Sequence, residues 1–184
     1  MLIDAGQDRD QAKRLLRACE AAGLTPRATI NTHTHADHFG GNEYLARQTG
    51  TPIYAPPFEE AFITYPHLEP LYLFSGARPI PPLQTKWLLA KPCRVEQIIE
   101  GDTLEVEGLS FQVLRFAGHA HRQIGLGWGE VLYCADALLG TDVLAKYGLP
   151  YATDFGAQIQ SVKKLQDTEF KHYLPGHGPL TDDI

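Results

Sequence analysis

Thr32-His33-Thr34-His35-Ala36-Asp37-His38-Phe39-Gly40-Gly41 is the stretch that decides how the rest of the chain is read. Three imidazoles and one carboxylate fall within the six residues from His33 to His38. Burying such groups without a partner is costly, so a fold does not gather them for nothing. The partner that suits all of them is a metal ion. Side chains alternate along an extended segment, so His33 and His35 point to the same side. Asp37 and His38 follow where the chain turns, and Gly40-Gly41 allows a close backbone approach. Four ligand candidates in one turn exceed what a single ion needs if others arrive from elsewhere, which points to two ions side by side.

Working outward, the first half of the chain alternates strand and helix. Leu2-Ile3-Asp4-Ala5-Gly6 reads as a short buried strand. Asp8 is placed to cap a helix, with Gln11 at the capping-box position. Ala12, Leu15, Leu16, Cys19 and Ala22 form its apolar stripe, and Gly23 ends it. Arg27 to Asn31 is a second strand that delivers the histidine cluster at its C-terminal end. A helix to about Gly50 and a third strand, Pro52 to Ala55, complete the rhythm of a layered α/β protein.

Residues 56–92 break that rhythm with Pro56, Pro57, Pro66, Pro70, Pro79, Pro81, Pro82 and Pro92. Phe58, Phe62, Tyr65, Tyr72, Phe74 and Trp87 are set among them. Connections this long are uncommon and often functional. The insertion reads as a substrate lid or an oligomer contact, or equally as a satellite core of short helices.

From Arg94 the pattern becomes one of hairpins: Val95 to Ile99, Thr103 to Glu107 with Ser110 to Phe116, and Ile124 to Trp128 with Val131 to Ala135. Asp154 is placed to cap a helix with Phe155, Ile159, Val162 and Leu165 on one face, and His172 to Leu174 is a last strand. His119, Asp136 and His177 each follow a predicted strand at its C-terminal end, where layered sheets place their ligand sites. Cys134 shares the strand face of Asp136 and reads as core. His67 and His172 read as surface residues.

With 184 residues and 43% apolar content, the chain is long enough for one domain with a substantial core. The net charge of -6 and the scattered Lys and Arg carry no basic stripe for nucleic acid. Cys19, Cys93 and Cys134 form no C-x-x-C pair and argue against a disulfide framework. No apolar run approaches the ~20 residues of a membrane span, and no leader precedes Asp4. A cytoplasmic protein, away from membranes and nucleic acid, is the expectation.

With those residues in hand, the chain resembles the metallo-β-lactamase superfamily, and within it the glyoxalase II-like dinuclear metallohydrolases. "THTHADHFGG", "AGHAHRQIG", "YCADALLG" and "LPGHG" match the family's metal motifs in order. "LIDAG" and "IIEGDTLEVEGLSFQVL" resemble its flanking strands. The resemblance implies a four-layer αββα sandwich as a single domain over residues 1–184, truncated at the N-terminus because the family's first strands have no counterpart before Leu2. An exposed sheet edge would then invite pairing, so a homodimer or a covered edge is expected. The resemblance also implies the ligand sets: His33, His35 and His119 for one ion, Asp37, His38 and His177 for the other, and Asp136 between them. Asp4 matches a position that supports a ligand from behind.

Two divalent ions roughly 3.5–4 Å apart can share a hydroxide that exists at neutral pH and attacks an ester, thioester, lactone or related bond. Zn2+ suits nitrogen and oxygen ligands without thiolate, and Fe or Mn also fit. Asp37 is both ligand and proton acceptor in this scheme. His121-Arg122 stands where the family commonly has Pro-Gly, and Arg122 could hold an acidic substrate group. Tyr147 or Tyr151, after Asp136, could assist an oxyanion. Two alternatives stay open. One is an oxidoreductase like the persulfide dioxygenases, which use a single iron on two His and one Asp. The other is an inactive truncated module kept for binding.

Overall fold

The structure is a computed structural model that describes residues 1–182 and 184. It divides into two units, Met1–Ile99 and Glu100–Ile184.

The first unit is built on a parallel sheet of four very short strands, β1 (Leu2–Ile3), β2 (Thr29–Ile30), β3 (Ile53–Ala55) and β4 (Gln97–Ile98), in that order. Leu2 pairs with Thr29, Thr29 with Ile53, and Tyr54 with Gln97. Helix α1 (Arg9–Ala21) starts at Asp8, whose carboxylate accepts from the backbone N–H of Asp10 and Gln11. Gln11 closes back on the N–H of Gln7, one residue earlier than a capping box would place it. Ala12 is buried on the inner face, packed with Ala5 and Leu45, while Ala22 at the helix end is exposed. Helices α2 (Ala36–Phe39) and α3 (Asn42–Thr49) connect β2 to β3.

The insertion folds as two short helices, α4 (Glu59–Thr64) and α5 (Leu68–Leu73), and a 3-10 turn at Pro81–Leu83. Ile63 joins Phe39 and Ala55 in a small core, packed against Ala90, Cys93 and Val95. Tyr65, Tyr72, Ile80 and Trp87 remain exposed. The insertion is thus a satellite core on its inner side and an apolar surface on its outer side.

The expected hairpin strand at Val95 to Ile99 is realised differently. It lies parallel to β3, held by Glu96 N–H to the Ile53 carbonyl at 2.9 Å and Ile99 N–H to the Ala55 carbonyl at 2.9 Å. Glu96 also accepts the Ile53 N–H through its side chain at 2.7 Å. The chain returns across the insertion and closes the first sheet instead of opening the second.

The second unit carries five strands in sequential order, β5 (Thr103–Val106), β6 (Leu109–Arg115), β7 (Ile124–Trp128), β8 (Val131–Ala135) and β9 (His172–Pro175). All neighbours are antiparallel except β8 and β9, which run parallel across the connection that contains α6 (Thr141–Tyr147) and α7 (Phe155–Gln166). Phe116, Leu132, Cys134, Leu165 and Tyr173 form its core. Asp154 caps α7 by accepting the Ala157 N–H, as its position predicts.

The face that α7 buries differs from expectation. Leu165 is buried, but Phe155, Ile159 and Val162 face solvent. The reason is polar. Ser161 donates to the Ala117 carbonyl at 2.6 Å and Gln158 to the Ala137 carbonyl at 3.2 Å, which turns the 158-161-165 side of the helix inward. Among the described residues no helix is long and apolar enough to cross a membrane.

Candidate metal centre

Strand β2 ends in a run of buried residues, Asn31 to Thr34, and the first group of ligand candidates stands there. The His33 ring lies 4.8 Å from that of His35 and 4.0 Å from that of His38, centroid to centroid. Asp37 reaches within 3.8 Å of His38 Nε2. His33 and His38 are buried, while His35 and Asp37 are partly open to solvent.

Behind this group stands Asp4, at the end of β1. Its carboxylate accepts the Thr32 N–H at 2.8 Å and the Thr32 hydroxyl at 2.9 Å, and lies 2.9 Å from His38 Nδ1. A carboxylate of this kind accepts only, so His38 carries its proton on Nδ1 and turns the lone pair of Nε2 away from Asp4. The Thr32 hydroxyl, having donated to Asp4, accepts from His33 Nδ1 at 3.1 Å and fixes the same tautomer there. One buried acid therefore sets two rings in the form a metal requires. Asn31 and Asn42 secure the turn: Asn31 donates to the His38 carbonyl at 3.3 Å, and Asn42 donates to Asn31 at 2.6 Å.

Gly40 and Gly41 are required by closeness. A Cβ on Gly40 would stand 1.9 Å from the Gln7 carbonyl oxygen, and one on Gly41 would stand 2.3 Å from that of Ala5. The loop after β1 lies flat on the end of α2, with Gly41 N–H bonded to the Gly6 carbonyl at 2.9 Å.

The second unit gathers its own three candidates. His119 follows β6 in a loop tied to residues 151–154: Thr153 N–H and hydroxyl both bond the Gly118 carbonyl, at 2.7 Å and 2.9 Å. Asp136 follows β8 directly, past a register shift in the pairing with β9. His177 follows β9. His119 Nε2 lies 3.3 Å from Asp136 Oδ2, and His177 Nε2 lies 3.4 Å from the same oxygen. His119 Nδ1 lies 2.9 Å from the Tyr151 carbonyl, which can only accept, so Nε2 of the neutral ring carries a lone pair. A lone pair and a carboxylate oxygen at that distance repel unless a cation, or a proton on Nε2, offsets the repulsion. The donor set of each unit, imidazole nitrogen and carboxylate oxygen without thiolate, fits a divalent transition metal.

Several neighbours of the ligand candidates come into view only in the fold. Thr34 donates to Glu59, which is 1% exposed at the start of α4. Glu69, on α5, is pushed up to about 8 by burial first and then by the negative charges of Asp37 and Glu59. Tyr151 serves His119 through its backbone carbonyl, and its ring stands edge-on to that imidazole at 6.2 Å. Nothing in the residue types of 59 or 69 marks these contacts, and Tyr151, singled out in the sequence for its hydroxyl, meets His119 through its carbonyl instead; all depend on how the insertion and the loop after α6 fold back. His172, expected at the surface, pairs with Asp182 at 2.6 Å.

Comparison with known proteins agrees with this geometry. The family model described as "Metallo-beta-lactamase superfamily" matches residues 1–177. A hydroxyacylglutathione hydrolase of Xylella fastidiosa (strain 9a5c) is 33% identical over 139 residues, which are 75% of this chain and 40% of that protein. The chain therefore spans about two-fifths of the length of that relative. The crystal structure of TTHA1623 in a di-iron-bound form is 29% identical, with a TM-score of 0.65, covering 98% of this chain and 82% of that one. The BLEG-1 B3 metallo-beta-lactamase is 23% identical with a TM-score of 0.72, covering 97% of this chain and 81% of that one, which is a likeness of fold.

Proposed function

Since the chain belongs to the metallo-β-lactamase superfamily, whose model matches it over residues 1–177, we propose that it is a dinuclear metallohydrolase that cleaves a small ester, thioester, lactone or related bond. The observation that carries this reading is the approach of His119 Nε2 and His177 Nε2 to one oxygen of Asp136, at 3.3 Å and 3.4 Å. A carboxylate oxygen faced by two imidazoles, one of them with its lone pair forward, is the arrangement expected around a cation.

In the proposed division, His33, His35 and His119 hold one ion, Asp37, His38 and His177 hold the other, and Asp136 serves both. When bound, the ions supply Lewis-acid charge and an activated water at neutral pH. The protein residues do the rest. Asp4 holds the proton on His38 Nδ1 and orders Thr32, so that His33 and His38 keep their Nε2 atoms available. The Tyr151 carbonyl does the same for His119. Asp37, partly open to solvent, is the group able to take up the proton released as water adds to a carbonyl.

Zn2+ is the proposed metal, and iron is the specific rival because TTHA1623 was obtained in a di-iron form. The likeness to a hydroxyacylglutathione hydrolase supports an acyl compound as substrate. The proposal continues with a soluble cytoplasmic protein that takes a small molecule and forms a homodimer.

Elemental analysis of purified protein tests the metal: close to two ions per chain is expected. Ester, thioester, lactone and phosphodiester substrates are then screened. Asp37→Ala should abolish turnover while its circular dichroism matches wild type. Full turnover in that variant, or one iron per chain with oxygen uptake, would overturn the reading.

A further inference from the structure

Thr34 stands between two ligand candidates, His33 and His35. Side chains alternate along an extended segment, so Thr34 points to the side opposite the two imidazoles. It is buried, and its hydroxyl donates to the carboxylate of Glu59, 25 positions further along the chain. Glu59 is 1% exposed, the first residue of α4, and follows Phe58 with φ at 75°. A buried carboxylate is expensive to keep. It is retained where the chain leaves β3 and enters the insertion, and it spends an acceptor on the back of the histidine segment.

We propose that Glu59 is a positioning residue for metal binding, which through Thr34 sets the twist of the segment that aims His33 and His35. The inference rests on the dinuclear reading above. It extends the support of the site from Asp4, which steadies His33 and His38 from β1, to the insertion, which steadies His33 and His35 from α4. It also gives the insertion a definite link to the centre: any displacement of α4 pulls on Thr34.

The test is metal affinity, measured by competition with a chelating dye on wild type, Thr34→Val, Glu59→Ala, Glu59→Gln and the Thr34→Val/Glu59→Ala pair. Far-ultraviolet circular dichroism and thermal melts of the metal-free forms verify that each is folded. Thr34→Val and Glu59→Ala should each weaken Zn2+ binding by about tenfold, the lower end for residues that orient ligands. The double variant should lose less than the sum of the two single losses, because both singles remove the same Thr34–Glu59 hydrogen bond. Glu59→Gln keeps an acceptor for the hydroxyl and should bind Zn2+ more tightly than Glu59→Ala. Losses that add in the double variant, or single variants that bind as wild type does, would overturn the inference while leaving the dinuclear reading intact. Wild type that takes up no divalent ion would overturn both.

Discussion

Asp4 Oδ2 and His38 Nδ1 lie 2.9 Å apart although 34 positions separate them in the chain. The same carboxylate holds the backbone and hydroxyl of Thr32, so a residue that would bind no metal governs two that would. Asp4→Ala should therefore act on affinity more than on substrate. A 10–100-fold loss of metal affinity is expected, in line with other groups that orient ligands. Chelator competition measures it, and unchanged affinity would show that the tautomers are set by something else.

Gly41 should tolerate no side chain. In Gly41→Ala the added carbon would meet the Ala5 carbonyl oxygen at 2.3 Å and Ala12 Cβ at 2.9 Å, and neither backbone nor buried helix can yield cheaply. The expected loss is about 1–3 kcal/mol, the usual range for overpacking. A urea titration of the metal-free protein checks it, with the midpoint falling and the slope unchanged.

Glu69 makes stability depend on pH. Its carboxyl is pushed from 4.5 up to about 8 in the folded chain, by burial and by Asp37 and Glu59. Between those values the folded state keeps a proton that the unfolded state has released. Stability from this group is therefore complete below the unfolded value and is lost as pH rises through the window. Metal-free wild type should lose stability from pH 5 to pH 9, and Glu69→Gln should lose less. Equal pH slopes for the two in denaturant melts would refute this origin. Removing the metal matters because bound cations would offset the charge of Asp37.

Cys134 should be chemically silent. It is fully buried in the second unit's core and its thiol is pushed up to about 12 by that burial, so almost no thiolate exists at pH 8. Alkylation by iodoacetamide, followed by mass spectrometry, should label Cys134 only as fast as the protein unfolds. Rapid labelling of the native protein would contradict the packing described.

Much of this molecule is legible in the sequence because its ligand candidates sit where strands end. The alternation of His33 and His35, the cap at Asp8, the hairpin around Gly129 and the loop positions of His119, Asp136 and His177 follow from local pattern alone. What the pattern could not carry were the long-range choices. Residues 95–99 have a strand's composition whether they pair with β3 or with β5, and only the return path over the insertion decides. Phe155, Ile159 and Val162 have a core face's spacing, yet two hydrogen bonds, from Gln158 and Ser161, turn a different side of α7 inward. Helix α6 carries no apolar stripe in the sequence, because Thr141–Tyr147 buries no residue. Glu59 and Glu69 look like ordinary surface acids on a proline-rich stretch, and only folding of that stretch brings them under the histidine segment.

The strands of the first sheet are two or three residues long and all parallel, and each neighbour is reached only after a long excursion. Such pairings close large loops before they gain contacts, so they form late and slowly. Asp4 directly follows β1, one of the two edge strands of this sheet. The hydrogen bonds that set the tautomers of His33 and His38 thus form only when β1 docks on β2, and the return of tight ion uptake during refolding should follow that pairing.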